Sequence, residues 1–244
     1  MRELKILYED RELIVVRKPP GMASQGEPGF AVDAVSLLQT RQKETYGSSQ
    51  TIQCVHRLDK MVGGVVVYGK TKKAAASLSA QFAKHTVTKR YYAALCGKPE
   101  KPAGMLEDYL LRDKKSNITR RVSKETPGSK YAKLTYRVVE SRELAYGEEG
   151  TLLCCTLADI ELATGRHHQI RVQFAGRGLA LYGDHRYNPQ CGKGRMAGNI
   201  GLFGYELTFD HPVSGERMEF LAKPEEGIFL EFETFRRKMS ENRE

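Results

Sequence analysis

No apolar run in this chain is long enough to span a bilayer, and the first residues carry no apolar stretch of signal-peptide length. Neither a membrane span nor a secretory leader is expected, and the cytoplasm is the expected compartment. Cysteine is sparse. The five residues, at 54, 96, 154, 155 and 191, form an odd set without a Cys-x-x-Cys pair, so reduced, buried thiols are expected rather than a disulfide framework. Histidine numbers six, and His167 and His168 are adjacent, which sends their side chains apart on a helix or a strand alike. No carboxylate cluster stands beside them at zinc-ligand spacing, so no metal is expected. Acidic residues are also in deficit: 30 Asp and Glu face 39 Lys and Arg, giving a net charge of +9 and a pI near 9.3. That balance points to a polyanionic partner, nucleic acid before a membrane surface. Internal repeats and low-complexity segments are absent.

What is present suffices for a core, with 40% hydrophobic residues in 244. Leu13–Arg17 reads as a strand stopped by Pro19, Pro20 and Gly21. Val32, Val35 and Leu38 fall at helical spacing, closed by the polar stretch Arg41–Gln50. Val65–Tyr68 is a buried β-branched strand, after which Thr71 caps a helix with Ala75, Leu78 and Phe82 on one face. Arg90–Cys96, Leu134–Val138, Leu152–Glu161, Tyr205–Phe209 and Met218–Phe220 read as further strands, and Gln169–Ala175 as a helix followed by Gly176 and Gly178. Strands outnumber helices and arrive in neighbouring pairs. The pattern predicts an α+β fold with a mixed, mainly antiparallel sheet flanked by helices.

Residues 56–59 read His-Arg-Leu-Asp and lead into the run Met61–Val67, which contains Gly63 and Gly64. A lone turn aspartate most often bonds its own backbone; here other segments keep it company. Residues 13–21 read Leu-Ile-Val-Val-Arg-Lys-Pro-Pro-Gly, residues 89–91 Lys-Arg-Tyr, residues 164–171 Thr-Gly-Arg-His-His-Gln-Ile-Arg with Gly-Asp at 183–184, and residues 205–212 Tyr-Glu-Leu-Thr-Phe-Asp-His-Pro. In this order the segments closely resemble the RluA family of pseudouridine synthases, from about Ile6 to Pro224. The resemblance implies the fold of that family's catalytic domain, taken as a single domain over residues 1–244 without the small N-terminal RNA-binding domain of many relatives.

It also implies a reaction. A pseudouridine synthase breaks the bond between uracil N1 and ribose C1′, turns the base over and rejoins it through C5. Hydrolysis of a glycosidic bond ordinarily recruits two carboxylates, and no second acid is placed by motif near Asp59. Uracil can leave as a delocalised anion, so a strong general acid is less necessary, and water is best excluded. By resemblance, Asp59 acts on the ribose, attacking C1′ or removing a proton from C2′. Arg171 pairs with it and keeps it ionised. Tyr91 stacks on the uracil and can serve in late proton transfer. Arg57 fills the gap left by the flipped nucleotide, since a base inside a stacked structure cannot be reached otherwise. His56, Lys89 and Arg166 are further candidates for contact with RNA, and Lys18 either contacts RNA or pairs structurally. His56 and Leu58 flank the loop, one hydrogen-bonded and one in the core, while Gln169 and Ile170 seat Arg171, and His211 and Pro212 end a strand.

Two places depart from the family's pattern. Positions 62–64 are Val, Gly, Gly where Thr-Ser-Gly is usual, and Phe203-Gly204 stand where His-Ala is usual. They bear on loop geometry and target choice more than on the reaction. Between Arg112 and Lys133 lie eight basic residues, including Lys114, Lys115, Arg120 and Arg121, against two acids. Such a run supplies non-specific affinity for phosphates. The expectation is a cofactor-free, monomeric enzyme acting on uridine in structured rRNA or tRNA. The rivals are a uracil-releasing glycosylase and a non-catalytic RNA-binding or ribosome-assembly protein of the same fold.

Overall fold

A computed structural model of the chain describes residues 4–26, 32–47, 51–146, 151–191 and 199–240. The chain forms two compact units, each assembled from separated segments. The first comprises Met1–Lys89 and Gly204–Lys223, the second Arg90–Phe203 and Pro224–Glu244.

In the first unit, β1 (Lys5–Glu9), β2 (Leu13–Lys18), β4 (Gly63–Gly69) and β10 (Leu202–Asp210) are neighbours in that order. The short β3 (Gln53–Cys54) adds to β4, and β11 (Arg217–Leu221) adds to β10. β1, β2 and β4 run antiparallel, with Val15 opposite Val67 and Lys18 opposite Gly64. Every residue of β4 is buried, as expected of a β-branched run covered on both faces. Against the sheet packs α2 (Lys72–Ala83), where the Thr71 hydroxyl accepts the Ala74 N–H at 3.1 Å and caps the helix as the sequence predicts. Leu78 of α2 joins Leu13, Val15, Val65, Val67, Val87, Leu207 and Phe209 in the core. Burying a leucine completely is worth about 1.5–3 kcal/mol. The other helix, α1 (Ala34–Tyr46), starts at the Asp33 cap and leaves Val32 outside. It continues through the polar residues expected to close it, because Arg41 and the buried Gln42 both bond Glu9 at 2.6 Å, and it ends at Gly47 in the left-handed region.

In the second unit, β5 (Thr88–Cys96), β9 (Thr151–Leu162), β8 (Lys130–Tyr146), β6 (Ala103–Asp113) and β7 (Ile118–Val122) pair antiparallel in that order. The helix α3 (Gln169–Ala175) buries every side chain from Gln169 to Phe174, and its Val172 packs with Leu110 and Ala132. A last helix, α4 (Glu233–Ser240), sets Phe235 edge-on against Tyr92 at 5.1 Å. Cys96, Cys155 and Cys191 are buried, and Cys54 and Cys154 partly so; none of the five is in a disulfide. No helix among the described residues is long and apolar enough to cross a membrane.

Candidate functional site

The first unit carries the Asp59 loop, and the residues on both sides of Asp59 are fixed. Ser24, 3% exposed, accepts the Leu58 N–H at 3.1 Å with its hydroxyl oxygen and donates to the Leu58 carbonyl at 3.0 Å. The Ser24 carbonyl in turn accepts the Tyr68 hydroxyl at 3.0 Å. After the aspartate, the Lys60 carbonyl accepts the Gly21 N–H at 2.8 Å and lies 3.3 Å from the Lys18 ammonium. The Asp59 carbonyl closes the turn on the Val62 N–H at 2.9 Å. Asp59 thus sits between two anchored residues, itself half-buried, while Arg57 is exposed. Gly21 takes φ +85°, which lets the Lys-Pro-Pro-Gly turn present its N–H to Lys60. Each anchoring bond contributes about 0.5–1.5 kcal/mol, and orphaning its partner costs about 1–3 kcal/mol. No motif flagged Ser24; the only sequence signal is a small hydroxyl residue three positions after Gly21.

Lys18 was open between an RNA contact and a structural pairing, and His56 was a candidate RNA contact; both make internal contacts in the structure. Lys18 is fully buried, its ammonium donating to the carbonyls of Pro19 at 3.1 Å and Met22 at 2.7 Å as well as to Lys60. An ammonium has three donors, and all three are used inside the loop's foundation. Burial lowers its pKa to about 7, and the Asp59 carboxylate nearby acts in the opposite direction. His56 accepts the Val67 N–H on Nε2 at 3.1 Å, and its ring stacks on Phe82 with centroids 4.5 Å apart. Burial, with the charge of Lys89, pushes its pKa down to about 3, so the imidazole is a neutral brace between the loop and β4. Lys89 is half-buried. Leu58 is in the core, as expected. His211 holds the end of β10, its Nε2 2.9 Å from Asp10.

The changed triplet has a geometric setting. Gly64 has φ +140°, and a Cβ there would fall 2.3 Å from the Gly204 carbonyl oxygen. The β4 and β10 backbones are in contact at this point, which requires glycine at 64.

The second unit carries Tyr91 and Arg171. Tyr91 on β5 is half-buried and opposite Ile160 of β9; Arg90 and Tyr92 point to the other face. Arg171, 8% exposed, forms a bidentate pair with Asp184, Nε to Oδ2 at 2.8 Å and Nη2 to Oδ1 at 2.7 Å. The motif at 183–184 contained this aspartate without assigning it a task. The Tyr187 ring lies 5.1 Å from the same guanidinium. The Gln169 amide accepts the Arg166 N–H at 2.9 Å and the Thr164 hydroxyl at 2.8 Å, and donates to the Lys133 carbonyl at 3.1 Å, which ties the start of α3 to β8. Arg166 also donates through Nε to the Tyr131 carbonyl at 2.8 Å.

His167 and His168 do not diverge. Their rings stack with centroids 3.7 Å apart, because His168 adopts φ 52° and ψ 26° and so belongs neither to a helix nor to a strand. Among the described residues, no group of three or more His, Cys, Asp or Glu is placed to hold a metal ion.

The basic residues from Arg112 to Arg121 lie on the β6–β7 hairpin, while Lys130 and Lys133 lie on β8. At its tip, Asp113 accepts the Lys115 N–H at 2.8 Å and the Ser116 hydroxyl at 2.7 Å, which leaves Lys114 and Lys115 exposed at the apex. Strand alternation separates the next two arginines. Arg120 is exposed on the face of Leu111, whereas Arg121 shares the face of Leu110 and is engaged by Asp108 at 2.7 Å and by the Gly176 carbonyl. Arg121 is therefore a structural clamp in this fold rather than an open phosphate contact.

The family model described as RNA pseudouridylate synthase matches residues 12–176. The chain belongs to that family. It is 33% identical over 220 residues to the dual-specificity RNA pseudouridine synthase RluA of Escherichia coli K12, covering 90% of this chain and 92% of that protein. It is 29% identical over 228 residues to the ribosomal large subunit pseudouridine synthase C of Vibrio parahaemolyticus, covering 91% of this chain. The chain spans 66% of the length of that relative and 64% of the Vibrio vulnificus counterpart. Among solved structures, human RNA pseudouridylate synthase domain containing 1 has the same fold, with a TM-score of 0.70 at 22% identity, covering 91% of this chain and 84% of that one.

Proposed function

We propose that this protein is an RNA pseudouridine synthase that isomerises uridine in structured rRNA or tRNA without a cofactor, working in the cytoplasm as a monomer, with residues 1–244 as a single catalytic domain. The observation that supports this most is the Asp59 carboxylate, held between two anchored residues in a chain of this family. Fixed flanks keep a reacting group aimed without reorganisation during the reaction. In this reading Asp59 acts on the ribose, Arg171 pairs with Asp59 while Asp184 holds its other edge, Tyr91 stacks on the uracil, and the exposed Arg57 replaces the flipped nucleotide. Lys114, Lys115 and Arg120 meet phosphates, with Lys89 and Arg166 as further contacts.

The test is pseudouridine formation on bulk RNA from cells lacking the gene, with free uracil measured alongside. Pseudouridine without uracil is the expected result. Release of uracil would mean a glycosylase, and neither product would mean an RNA-binding or assembly role. Asp59→Asn should abolish isomerisation while leaving folding and RNA affinity nearly intact. Turnover within tenfold of wild type would remove Asp59 from the reaction.

A further inference from the structure

We propose that Tyr187 is a positioning residue for Arg171, pinned by its hydroxyl so that its ring fixes the guanidinium from one face. The inference rests on the reading that Arg171 serves the reacting centre. The ring lies 5.1 Å from the Arg171 guanidinium carbon, a distance at which the π face attracts the cation. The hydroxyl is held at two points on different elements. It accepts the Thr119 N–H of β7 at 2.8 Å, and it lies 2.8 Å from His168 Nδ1. Either the hydroxyl or His168 Nδ1 supplies the shared proton, according to the tautomer of that ring.

The network closes on itself. His168 stacks on His167, and His167 Nδ1 lies 2.8 Å from the hydroxyl of the same Thr119. His168 stands immediately before α3, the helix that carries Arg171. The Tyr187 hydroxyl therefore fixes both the ring under the guanidinium and the start of the helix from which it projects. Its backbone contributes as well: the N–H groups of Arg186 and Tyr187 donate to Asp184 Oδ1 at 3.0 and 3.3 Å, orienting the carboxylate that chelates Arg171. Asp184 grips the guanidinium edge and Tyr187 covers a face, so rotation about its plane is blocked in two directions.

A double-mutant cycle tests this, using unmodified transcripts of ribosomal and transfer RNA as the probe. Tyr187→Leu should lower the single-turnover rate constant tenfold to hundredfold with RNA affinity within twofold of wild type. Tyr187→Phe, which keeps the ring and loses the pin, should lower it threefold to tenfold. In an Arg171→Ala background neither change should lower the rate further. If the losses multiply in that background, Tyr187 acts elsewhere and the proposal falls while the reading of Arg171 stands. If Arg171→Ala itself turns over like wild type, the reading of Arg171 fails instead, and Tyr187 with it. Should Tyr187→Leu not fold, Tyr187→Phe carries the same cycle, and wild-type turnover by the Phe variant would overturn the pin.

Discussion

At the scale of single residues, Tyr91 separates holding the base from breaking its bond. Stacking a base on an aromatic ring is worth roughly 1–3 kcal/mol, and Tyr91→Phe keeps that ring. RNA binding should survive in the Phe variant, while turnover should fall by about 10²–10⁴ if the hydroxyl moves a proton. Tyr91→Leu should lose both, and wild-type behaviour of Leu in a binding and turnover assay would make Tyr91 a core residue. Lys18 yields a pH prediction. Its pKa is about 7 in the fold against an ordinary 10.5, so between these values the unfolded chain binds more protons than the native one. Stability from this group accordingly rises with pH across that window and is flat below it. Urea unfolding of wild type and Lys18→Met should give a stability difference that grows in favour of wild type from pH 7 towards 10.5. A difference independent of pH would show that Lys18 does not titrate there. The motif left Lys18 open between an RNA contact and a structural pairing because a motif carries no burial, and burial puts its ammonium among the backbone carbonyls of the loop.

At the scale of elements, the β6–β7 hairpin shows why a charge run must be split by strand alternation. Neutralising Lys114, Lys115 and Arg120 should weaken RNA binding and flatten its dependence on salt, since fewer counterions are released. An unchanged slope of log affinity against log salt would return the tip to an ordinary solvated face. Arg121→Gln should instead lower stability, because Asp108 loses a partner. The hairpin was not legible beforehand, because Leu110 and Leu111 are both apolar and Arg120 and Arg121 both basic, so the sequence shows no alternation where the faces differ. By contrast, β4, α2 and α3 were readable to within a residue or two. Their signals are local: a β-branched run, the Thr71 cap, and an apolar spacing closed by glycine. The stacked pair at 167–168 was misread because one left-handed residue breaks the period on which the expectation rested.

At the scale of the whole molecule, each unit is built from segments far apart in sequence. A chain ended at residue 199 would retain β1, β2 and β4 but lack β10, the neighbour of β4. Limited proteolysis should cut such a chain within residues 4–89 under conditions where the full chain resists, and equal resistance would show that the first segment folds alone. The assignment of Asp59, Tyr91 and Arg171 came from five short segments in register, whereas Ser24, Asp184 and Tyr187 emerged only when the fold brought distant residues together. The discontinuity has a further consequence during biosynthesis. After Lys89 leaves the ribosome, residues 90–203 must be made before Gly204 appears, which at 5–20 residues per second takes roughly 6–23 s. For that interval the valines of β4 have an uncovered edge, a template for pairing with another nascent chain. The newborn protein is thus most exposed to aggregation, and most dependent on chaperones, in the middle of its own translation.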